Sequence, residues 1–501
     1  MSEFDVFLIE KSVLREYHGP GGEVSVPAGV TSIGERAFAG CLGLTGITIP
    51  EGVTSIGYEA FRGCKSLSGA NLPEGLTWIG DYAFCDCENL TGAVFPKSLT
   101  YIGDDAFRNC RSLTDIILPE GLRSVREGVF ARCKNLCGIT LPESIDSIQA
   151  NPFTGCENIR FRVSSAHPYL AAMDGALVSR PDRKLICAPR ADEICIVPDG
   201  VRSIGENAFS GFRMARIILP EGVTAIEKGA FSYSRLEAIT LPEGLDSIGD
   251  WAFESCYRLT GITLPESVTR VGKYLFSFCS DLTDVTLPKG LNAIGDWMFF
   301  HCESLKNITL PESLTGIGEG AFLGCSSLRG IVLPDSIRQM GANPFEQCGP
   351  IEFSVSPDHP YLAVIDGALC SKQDRRLICG PSGRESWIVP GGIQTVGDNA
   401  FLECRCLKSI TLPEGVTSIG EKAFHMCIQL ESITLPGSVT SIGEKAFHLC
   451  MQLKSITLPE GVNHIGEEAF AWCDDLTILV ARGSYAEAYC RENELEYSYT
   501  D

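Results

Sequence analysis

The chain has 501 residues, of which 44% are apolar, and it carries 63 acidic against 41 basic side chains for a formal net charge of -22 at pH 7. This acidic balance argues against binding to nucleic acid or to an anionic membrane, because both need a basic surface that displaces counterions or engages lipid headgroups. No run of about 18 apolar residues is present to cross a bilayer, so membrane insertion is not expected.

The amino-terminal segment has no features of an export signal. Its opening letters MSEFDVFLIEKSVLREY lack a basic start, a long apolar stretch and a small-residue cleavage site. The chain as it stands is therefore predicted to be cytoplasmic, and a cell-surface or secreted location is predicted if a leader has been removed. Residues 1–26 are predicted to form an N-terminal β cap, because Phe7 to Val26 reads as strand, turn and strand.

From residue 27 onward the sequence repeats one phrase, seen most clearly from Leu435 to Ile456 as LPGSVTSIGEKAFHLCMQLKSI. The period is 23 residues almost everywhere, and a fixed period of this length predicts a solenoid whose stacked coils share one core. The first residue of each copy is a proline: Pro27, Pro50, Pro73, Pro96, Pro119, Pro142, Pro198, Pro220, Pro242, Pro265, Pro288, Pro311, Pro334, Pro390, Pro413, Pro436 and Pro459.

One copy, starting at Pro413, predicts the structure of a coil. The letters VTSIG alternate and predict a short strand after the Pro-Glu-Gly turn. In the next segment, EKAFHMC, the spacing of Ala423, Phe424 and Cys427 predicts a single helical turn with all three on one side. Ile433 and Leu435 then alternate with polar residues and predict a second strand, which pairs in parallel with the same strand of neighbouring coils.

Two positions of the coil predict continuous columns inside the stack. Phenylalanine stands 11 residues after every repeat proline, from Phe38 to Phe470. Fifteen of the 23 cysteines stand 14 residues after one: Cys41, Cys64, Cys87, Cys110, Cys133, Cys156, Cys256, Cys279, Cys302, Cys325, Cys348, Cys404, Cys427, Cys450 and Cys473. Since free cysteine packs as a small buried hydrophobe, we predict reduced core thiols instead of disulfides or metal ligands.

The regular coils span 27–151, 198–343 and 390–481, and inserts at 152–197 and 344–389 separate them. The inserts are copies of each other, since HPYLA begins at both His167 and His359. Asp174 and Gly175 lie between apolar alternating segments, which predicts a β-hairpin that keeps the stack continuous over 27–481. His167 and Asp174 could be read as a catalytic pair, but a turn Asp and a His before proline are typical of loops. No catalytic residue is therefore predicted.

The last residues, 482–501, are predicted to form a C-terminal helical cap. Ser484 can cap a helix over Tyr485 to Asn493 that presents Tyr485, Ala488 and Tyr489 on one face. Such a cap covers apolar surface and unpaired strand on the last coil.

The repeated phrase LxxIxLPxxVxxIGxxAFxxC resembles the BspA-like leucine-rich repeat, also called the TpLRR type, from about Pro27 to Ala481. The resemblance implies an α/β solenoid that is mostly β and loop, curved, with a parallel β-sheet on the concave side and short helical turns elsewhere. It also implies a role in protein binding and cell adhesion, since family members are often bacterial surface proteins that attach to host proteins or other cells.

Aromatic residues at variable positions are the predicted partner-binding residues. Contiguous exposed aromatics mark interaction sites, whereas rings at these positions can also simply shield the edge of the core. The concave sheet, with its outward Ser, Gly and Thr, is an alternative contact face. The predicted residues are Trp251, Tyr274 and Trp297, nine after successive prolines, with Tyr257 and Phe300 near them, and Trp78 and Tyr101, five after successive prolines.

No phosphate loop, dinucleotide turn, zinc-protease motif or calcium loop is present, and the seven histidines lack metal-ligand spacing. We therefore expect no enzyme, no cofactor and no metal site. The sequence predicts a non-enzymatic protein-binding solenoid, adhesin-like or an interaction scaffold. The alternative is a carbohydrate-binding solenoid that uses the same aromatic rows to stack on sugar rings.

Overall fold

The computed structural model of the protein describes residues 6–156, 158–188, 194–381 and 383–500. The chain divides into two compact units, Met1–Cys256 and Tyr257–Asp501, and each is described by itself. Both are built as β-solenoids in which most coils contribute a short strand, a turn segment and a second strand, while the coils that start at Pro73 and Pro288 have only the first strand. The solenoid predicted from the repeat is thus confirmed.

The first strand column collects the strand that follows each repeat proline, with the added strands of the amino terminus and the inserts. Equal positions of neighbouring coils pair in parallel, as Ser32 with Ser55 and Ile33 with Ile56. In the first unit these strands are Phe7–Glu10, Val13–Tyr17, Ser32–Ile33, Ser55–Ile56, Trp78–Ile79, Tyr101–Ile102, Ser124–Val125, Ser147–Ile148, Leu170–Met173, Ala176–Ser179, Lys184–Cys187, Ser203–Ile204, Ala225–Ile226 and Ser247–Ile248. In the second unit they are Arg270–Val271, Ala293–Ile294, Gly316–Ile317, Gln339–Met340, Leu362–Ile365, Ala368–Ser371, Arg376–Cys379, Thr395–Val396, Ser418–Ile419, Ser441–Ile442 and His464–Ile465.

The second strand column contains the strand that ends each coil, also parallel and in register, as Ile116 with Ile139. In the first unit it consists of Gly22–Ser25, Leu44–Thr48, Gly69–Asn71, Asp115–Ile117, Gly138–Leu141, Phe161–Val163, Ile194–Ile196, Arg216–Ile218 and Ala238–Thr240. In the second unit it consists of Gly261–Thr263, Asp284–Thr286, Gly330–Leu333, Glu352–Val355, Ser386–Ile388, Ser409–Thr411, Ser432–Thr434, Ser455–Thr457, Thr477–Val480 and Tyr497–Tyr499.

The segment between the two strands, here called the turn column, is not helical, so the predicted helical turns are wrong. Its residues 9 and 13 after the proline have left-handed backbones, as at Arg36 (φ 54°) and Gly40 (φ 71°), and such residues break a right-handed helix. Alternate backbone N–H groups of this segment donate to carbonyl oxygens of the next coil, instead of to the carbonyl oxygen four residues earlier in the chain. The Phe38 N–H donates to the Ala60 carbonyl oxygen at 2.8 Å. The one α-helix among the described residues is Tyr485–Glu492.

The two predicted columns lie in the core of each unit. Phe38, Phe61 and Phe84 are fully buried, and their rings lie nearly parallel, with 4.9 Å between successive centroids. The cysteine column lies beside them, and all 23 cysteines are free thiols, most of them buried. Each coil thus buries one aromatic ring together with several aliphatic side chains, such as Val53, Ile56 and Leu67 beside Phe61.

Each insert forms three antiparallel strands that return the chain to the first strand column. In the first insert Leu170–Met173 pairs with Ala176–Ser179, which pairs with Lys184–Cys187. Leu185 of the third strand then lies opposite Ile204 of the next regular coil, in parallel register. The second insert repeats this arrangement, with Leu377 opposite Val396.

The helix predicted after Ser484 is present. The Ser484 hydroxyl oxygen accepts the Glu487 N–H at 3.2 Å, and Asn493 is the C-cap of the helix, which ends at Glu492. The Tyr489 ring packs edge-on against Phe470, 6.4 Å away, and so covers the last ring of the phenylalanine column.

Candidate protein-binding surface

Five rings of the second unit form one continuous group, here called the aromatic cluster: Tyr274, Phe278, Trp297, Phe300 and His301. Tyr274 and Trp297 are parallel with 6.1 Å between centroids, and Phe300 meets Trp297 edge-on at 5.5 Å. Phe278 contacts Phe300 edge-on at 4.9 Å and lies parallel to His301 at 5.5 Å. The sequence-predicted Tyr274, Trp297 and Phe300 are therefore brought together.

The cluster exists because the turn column fixes these side chains one coil apart. Tyr274 and Trp297 occupy residue 9 of successive coils with φ of 55° and 57°, and Phe278 and His301 occupy residue 13 with φ of 59° and 54°. A left-handed backbone costs a non-glycine residue about 1 kcal/mol. The Trp297 N–H offsets this cost by donating to the Glu319 carbonyl oxygen of the next coil at 2.9 Å.

Two glycines of the next coil form the floor of the cluster. A Cβ atom at Gly320 would lie 2.5 Å from Cε3 of Trp297, and one at Gly324 would lie 2.8 Å from Nδ1 of His301. Only glycine, which has no Cβ atom, lets the Trp297 and His301 rings approach the backbone of the next coil this closely. Trp297 is thus held between the Tyr274 ring and the Gly320 backbone, which leaves its edge, not its faces, for a partner.

The accessible part of the cluster is apolar with a polar border. The Phe278 side chain is 45% exposed, whereas Tyr274, Trp297 and Phe300 are half-buried. On the border, Lys273 and Asp296 form an ion pair at 2.7 Å. An apolar centre with charged neighbours is the usual composition of an energetically important contact point between proteins.

Trp251 and Tyr257 are two further predicted aromatics. Trp251 belongs to the first unit, where it is half-buried and the Lys228 ammonium lies 5.2 Å from its ring centroid, a cation–π contact. Tyr257 of the second unit is exposed.

Trp78 and Tyr101 form a second, smaller aromatic site in the first unit. Their rings are parallel at 5.5 Å, and Trp78 is 38% exposed. The Arg126 guanidinium lies 5.4 Å from the Tyr101 ring and also binds the Asp104 carboxylate at 2.7 Å. Burial raises the pKa of the Tyr101 hydroxyl, and the nearby Asp104 and Asp81 carboxylates add to this, so the phenol stays neutral at physiological pH.

His301 is the cluster member that the sequence reasoning missed. Its ring centroid lies 4.5 Å from that of Phe300, and its Nδ1 lies 3.7 Å from the Glu303 carboxylate. The signal was available, because His301 stands 13 residues after its proline, as Phe278 does in the preceding coil. Comparison of residue 13 in successive coils identifies His301 as a neighbour of Phe278.

His167 has a structural place in the first insert. It is buried, its Nδ1 accepts the Tyr169 and Leu170 N–H groups at 3.2 and 3.1 Å, and Nε2 lies 3.0 Å from the Pro142 carbonyl oxygen. A carbonyl only accepts, so Nε2 carries the proton. Asp174 lies in the hairpin turn with φ of 47°. Both ring nitrogens are thus used by backbone groups.

Within residues 6–156, 158–188, 194–381 and 383–500, no three His, Cys, Asp or Glu side chains are grouped as metal ligands would be. In the same part of the chain, no helix has the length and apolar character needed to cross a membrane.

Comparison with known proteins gives one family. The family model described as a BspA type leucine rich repeat region matches residues 23–161, 193–279, 252–361 and 382–489, with six copies. No curated protein matches the sequence.

Among solved structures, a leucine rich cell surface protein from Faecalibacterium prausnitzii is 26% identical over 68% of this chain and 96% of its own, with a TM-score of 0.52. A leucine-rich repeat protein from Eubacterium ventriosum is 23% identical over 71% of this chain and 91% of its own, with a TM-score of 0.47. The pneumococcal vaccine antigen PcpA is 20% identical over 66% of this chain and 98% of its own, also with a TM-score of 0.47.

Proposed function

The chain belongs to the BspA-type leucine-rich repeat family, and from that premise we propose that it is a non-enzymatic, adhesin-like protein-binding scaffold. The aromatic cluster of the second unit is the proposed contact surface. The observation that carries the proposal is the exposed Phe278 ring, which is held rigidly against Phe300 and His301. A rigid, partly exposed aromatic group loses little conformational entropy on binding.

The partner class follows from the charge and the shape of the cluster. With a net charge of -22, the chain favours a neutral or basic protein surface over an acidic one. Because Gly320 and Tyr274 cover the faces of Trp297, the cluster is better suited to an apolar side chain of a protein than to a stacked sugar ring.

The proposed location is the cell surface, where a host protein or a protein of another cell would be the partner. The support is the Faecalibacterium prausnitzii cell surface protein, to which 68% of this chain is similar. A surface location would require an export route, so fractionation of native cells tests this part of the proposal separately from binding.

The binding proposal is tested by immobilising the full chain and presenting purified host matrix proteins. In the double variant Phe278→Gly, Trp297→Gly, each replacement is the residue that the chain itself uses at that position, in Gly324 and Gly320. Glycine also accepts the left-handed backbone at both sites. We expect at least a tenfold loss of capture with unchanged melting; full capture by the double variant would remove the cluster from the proposal.

A second candidate function, carbohydrate binding, is favoured only by the first-unit pair. Trp78 is exposed and lies flat against Tyr101, a geometry on which a sugar face can stack. The matched variant is Trp78→Ser, Tyr101→Ser, since serine is the usual residue there, as in Ser55. On a glycan array this variant should lose any sugar signal, while capture of matrix proteins should stay unchanged.

A further inference from the structure

The phenylalanine column of the second unit is interrupted in the insert, and a cavity lies at the interruption. Gly380 takes the place of a column phenylalanine, because its N–H donates to the Ala400 carbonyl oxygen at 3.0 Å as column amides do. A Cβ atom at Gly380 would lie 2.1 Å from Cε1 of Phe401. The cavity lined by Gly380 and Phe401 has a volume of about 430 Å³, within the roughly 300–1,000 Å³ typical of small-molecule sites.

The cavity wall combines apolar side chains and thiols with polar groups, which include the guanidinium groups of Arg384 and Arg405. Phe345, Phe401 and Leu407 supply hydrocarbon, and three thiols, Cys348, Cys379 and Cys404, line the remaining wall. Burial raises the pKa of the Cys404 thiol to about 12, so it is neutral and packs as a polarisable apolar group. The apolar part of the wall favours the hydrocarbon part of a ligand.

One carboxyl group, that of Glu346, lines this cavity without a cation. Glu346 is 5% exposed, and among the described residues no Lys, Arg or His nitrogen lies within ion-pair distance of it. The other carboxylates nearby are already paired, Glu403 with Arg405 at 2.8 Å and Asp366 with Arg384 at 2.8 Å. A buried carboxyl group of this kind is stabilised most by an incoming cation.

The surroundings of Glu346 raise the pKa of its carboxyl group, so its protonation state depends on whether a cation is bound. Burial raises the pKa of Glu346 to about 8, and the Glu403 carboxylate adds to the shift. Glu346 is therefore mostly protonated at pH 7, and it must release its proton to pair with a cation.

The first insert supplies an internal comparison, because two of the equivalent positions there carry different side chains. Thr154 stands where the second copy has Glu346, both 12 residues after the proline, and Phe212 stands where it has Cys404, both 14 after. Phe212 is buried, with its ring edge-on to Phe209 at 6.1 Å. In the second copy, the carboxyl group of Glu346 thus occurs together with the smaller side chain of Cys404.

We propose that the cavity binds a small organic ammonium compound, whose protonated amine pairs with the Glu346 carboxylate and whose ring or branched hydrocarbon lies between Phe345 and Phe401. The guanidinium groups of Arg384 and Arg405, which also line the cavity, are each already paired with a carboxylate, so Glu346 is the lining charge left for the ligand. This inference is independent of the proposed protein-binding function, since it concerns different residues and a different class of ligand.

The test titrates the full chain with phenethylamine by calorimetry, with phenylacetate and 2-phenylethanol as the anionic and neutral controls. Phenethylamine should bind saturably, at least tenfold more tightly than either control. Equal binding of amine and alcohol, or no binding of the amine, would overturn the proposal.

Two variants copy the first insert and locate the site. Glu346→Thr removes the carboxyl group, and Cys404→Phe fills the cavity; each should weaken phenethylamine binding at least tenfold. If Cys404→Phe does not fold, Glu346→Gln replaces it as a nearly isosteric second variant. Binding that survives the loss of the carboxyl group would overturn the proposal.

A proton readout separates ion pairing from simple cavity filling. Because Glu346 must ionise, the affinity for phenethylamine should rise about tenfold per pH unit between pH 6 and pH 7, with proton release measured in two buffers of different ionisation enthalpy. Glu346→Gln should abolish the pH dependence. A pH-independent affinity in the unchanged chain would contradict the pairing.

Discussion

The Cys64 thiol donates a hydrogen bond to the carbonyl oxygen of Phe38, in the preceding coil, over 3.0 Å. The same bond recurs one coil later from Cys87 to Phe61 at 3.1 Å. It links residue 14 of one coil, the cysteine, to residue 11 of the preceding coil, the phenylalanine. The two columns predicted from the repeat are therefore joined to each other as well as stacked.

Thiol labelling tests how completely the cysteine column is buried. Cys137 and Cys406 are the exposed cysteines, whereas burial raises the pKa of Cys64 to about 12. Because the thiolate is the reactive form, a disulfide reagent such as Ellman's reagent should react quickly with these two thiols in the native chain. In denaturant all 23 should react. Rapid reaction of many thiols without denaturant would contradict a closed core.

Removing one ring from the phenylalanine column should open the middle of the second unit. Phe322 is fully buried and lies between Phe299 at 5.2 Å and Phe345 at 5.4 Å. Phe322→Ala should cost about 3–5 kcal/mol through lost transfer free energy and a cavity. Chemical denaturation measures the cost, and hydrogen exchange should show lost protection in the flanking coils. Unchanged unfolding and exchange would contradict the stacking.

The buried histidine of each insert should be needed for local stability. His359 accepts the Tyr361 and Leu362 N–H groups at 3.1 and 3.0 Å, and its Nε2 lies 3.0 Å from the Pro334 carbonyl oxygen. His359→Ala leaves these groups without partners and should cost about 3 kcal/mol, with exchange increased at Leu362–Ile365. The control is His167→Ala, which should affect Leu170–Met173 and leave Leu362–Ile365 protected.

Glu346 should make the second unit less stable as the pH rises. Its folded pKa of about 8 lies above its ordinary value of 4.5, so its stabilising contribution is complete below pH 4.5 and is lost as the pH approaches 8. Compared with Glu346→Gln, the unchanged chain should lose about 1.4 kcal/mol per pH unit in that window. Denaturant unfolding at several pH values measures this difference, and parallel curves for the two proteins would refute it.

The strand columns and the core columns could be predicted from the sequence because one coil repeats its inward positions many times. The turn column could not, because the spacing of Ala423, Phe424 and Cys427 fits a helical turn and a set of tight turns equally well. What decides between them is hydrogen bonding to the next coil, as from the Phe424 N–H to the Ala446 carbonyl oxygen at 2.8 Å. The signal that could have separated them is glycine at residues 9 and 13, as in Gly320 and Gly324.

The candidate surface was predictable only in part. Tyr274, Trp297 and Phe300 follow from aromatic letters in successive coils, but the glycine floor and His301 depend on which side chain lies above which. The Glu346 cavity could not be predicted from the sequence, because Gly380 and Cys379 in its wall belong to an insert that departs from the repeat.

Hydrogen exchange of the turn column tests the central claim, the register of neighbouring coils, most directly. The Phe61 and Phe299 N–H groups donate to the Ala83 and Ala321 carbonyl oxygens of the next coil at 2.7 and 2.8 Å. These amides should therefore exchange as slowly as those of the strand columns, although they lie in neither helix nor strand. If these amides exchange within seconds, as amides in open loops do, while the strands stay protected, the result would contradict the stacking on which the fold and the proposed sites depend.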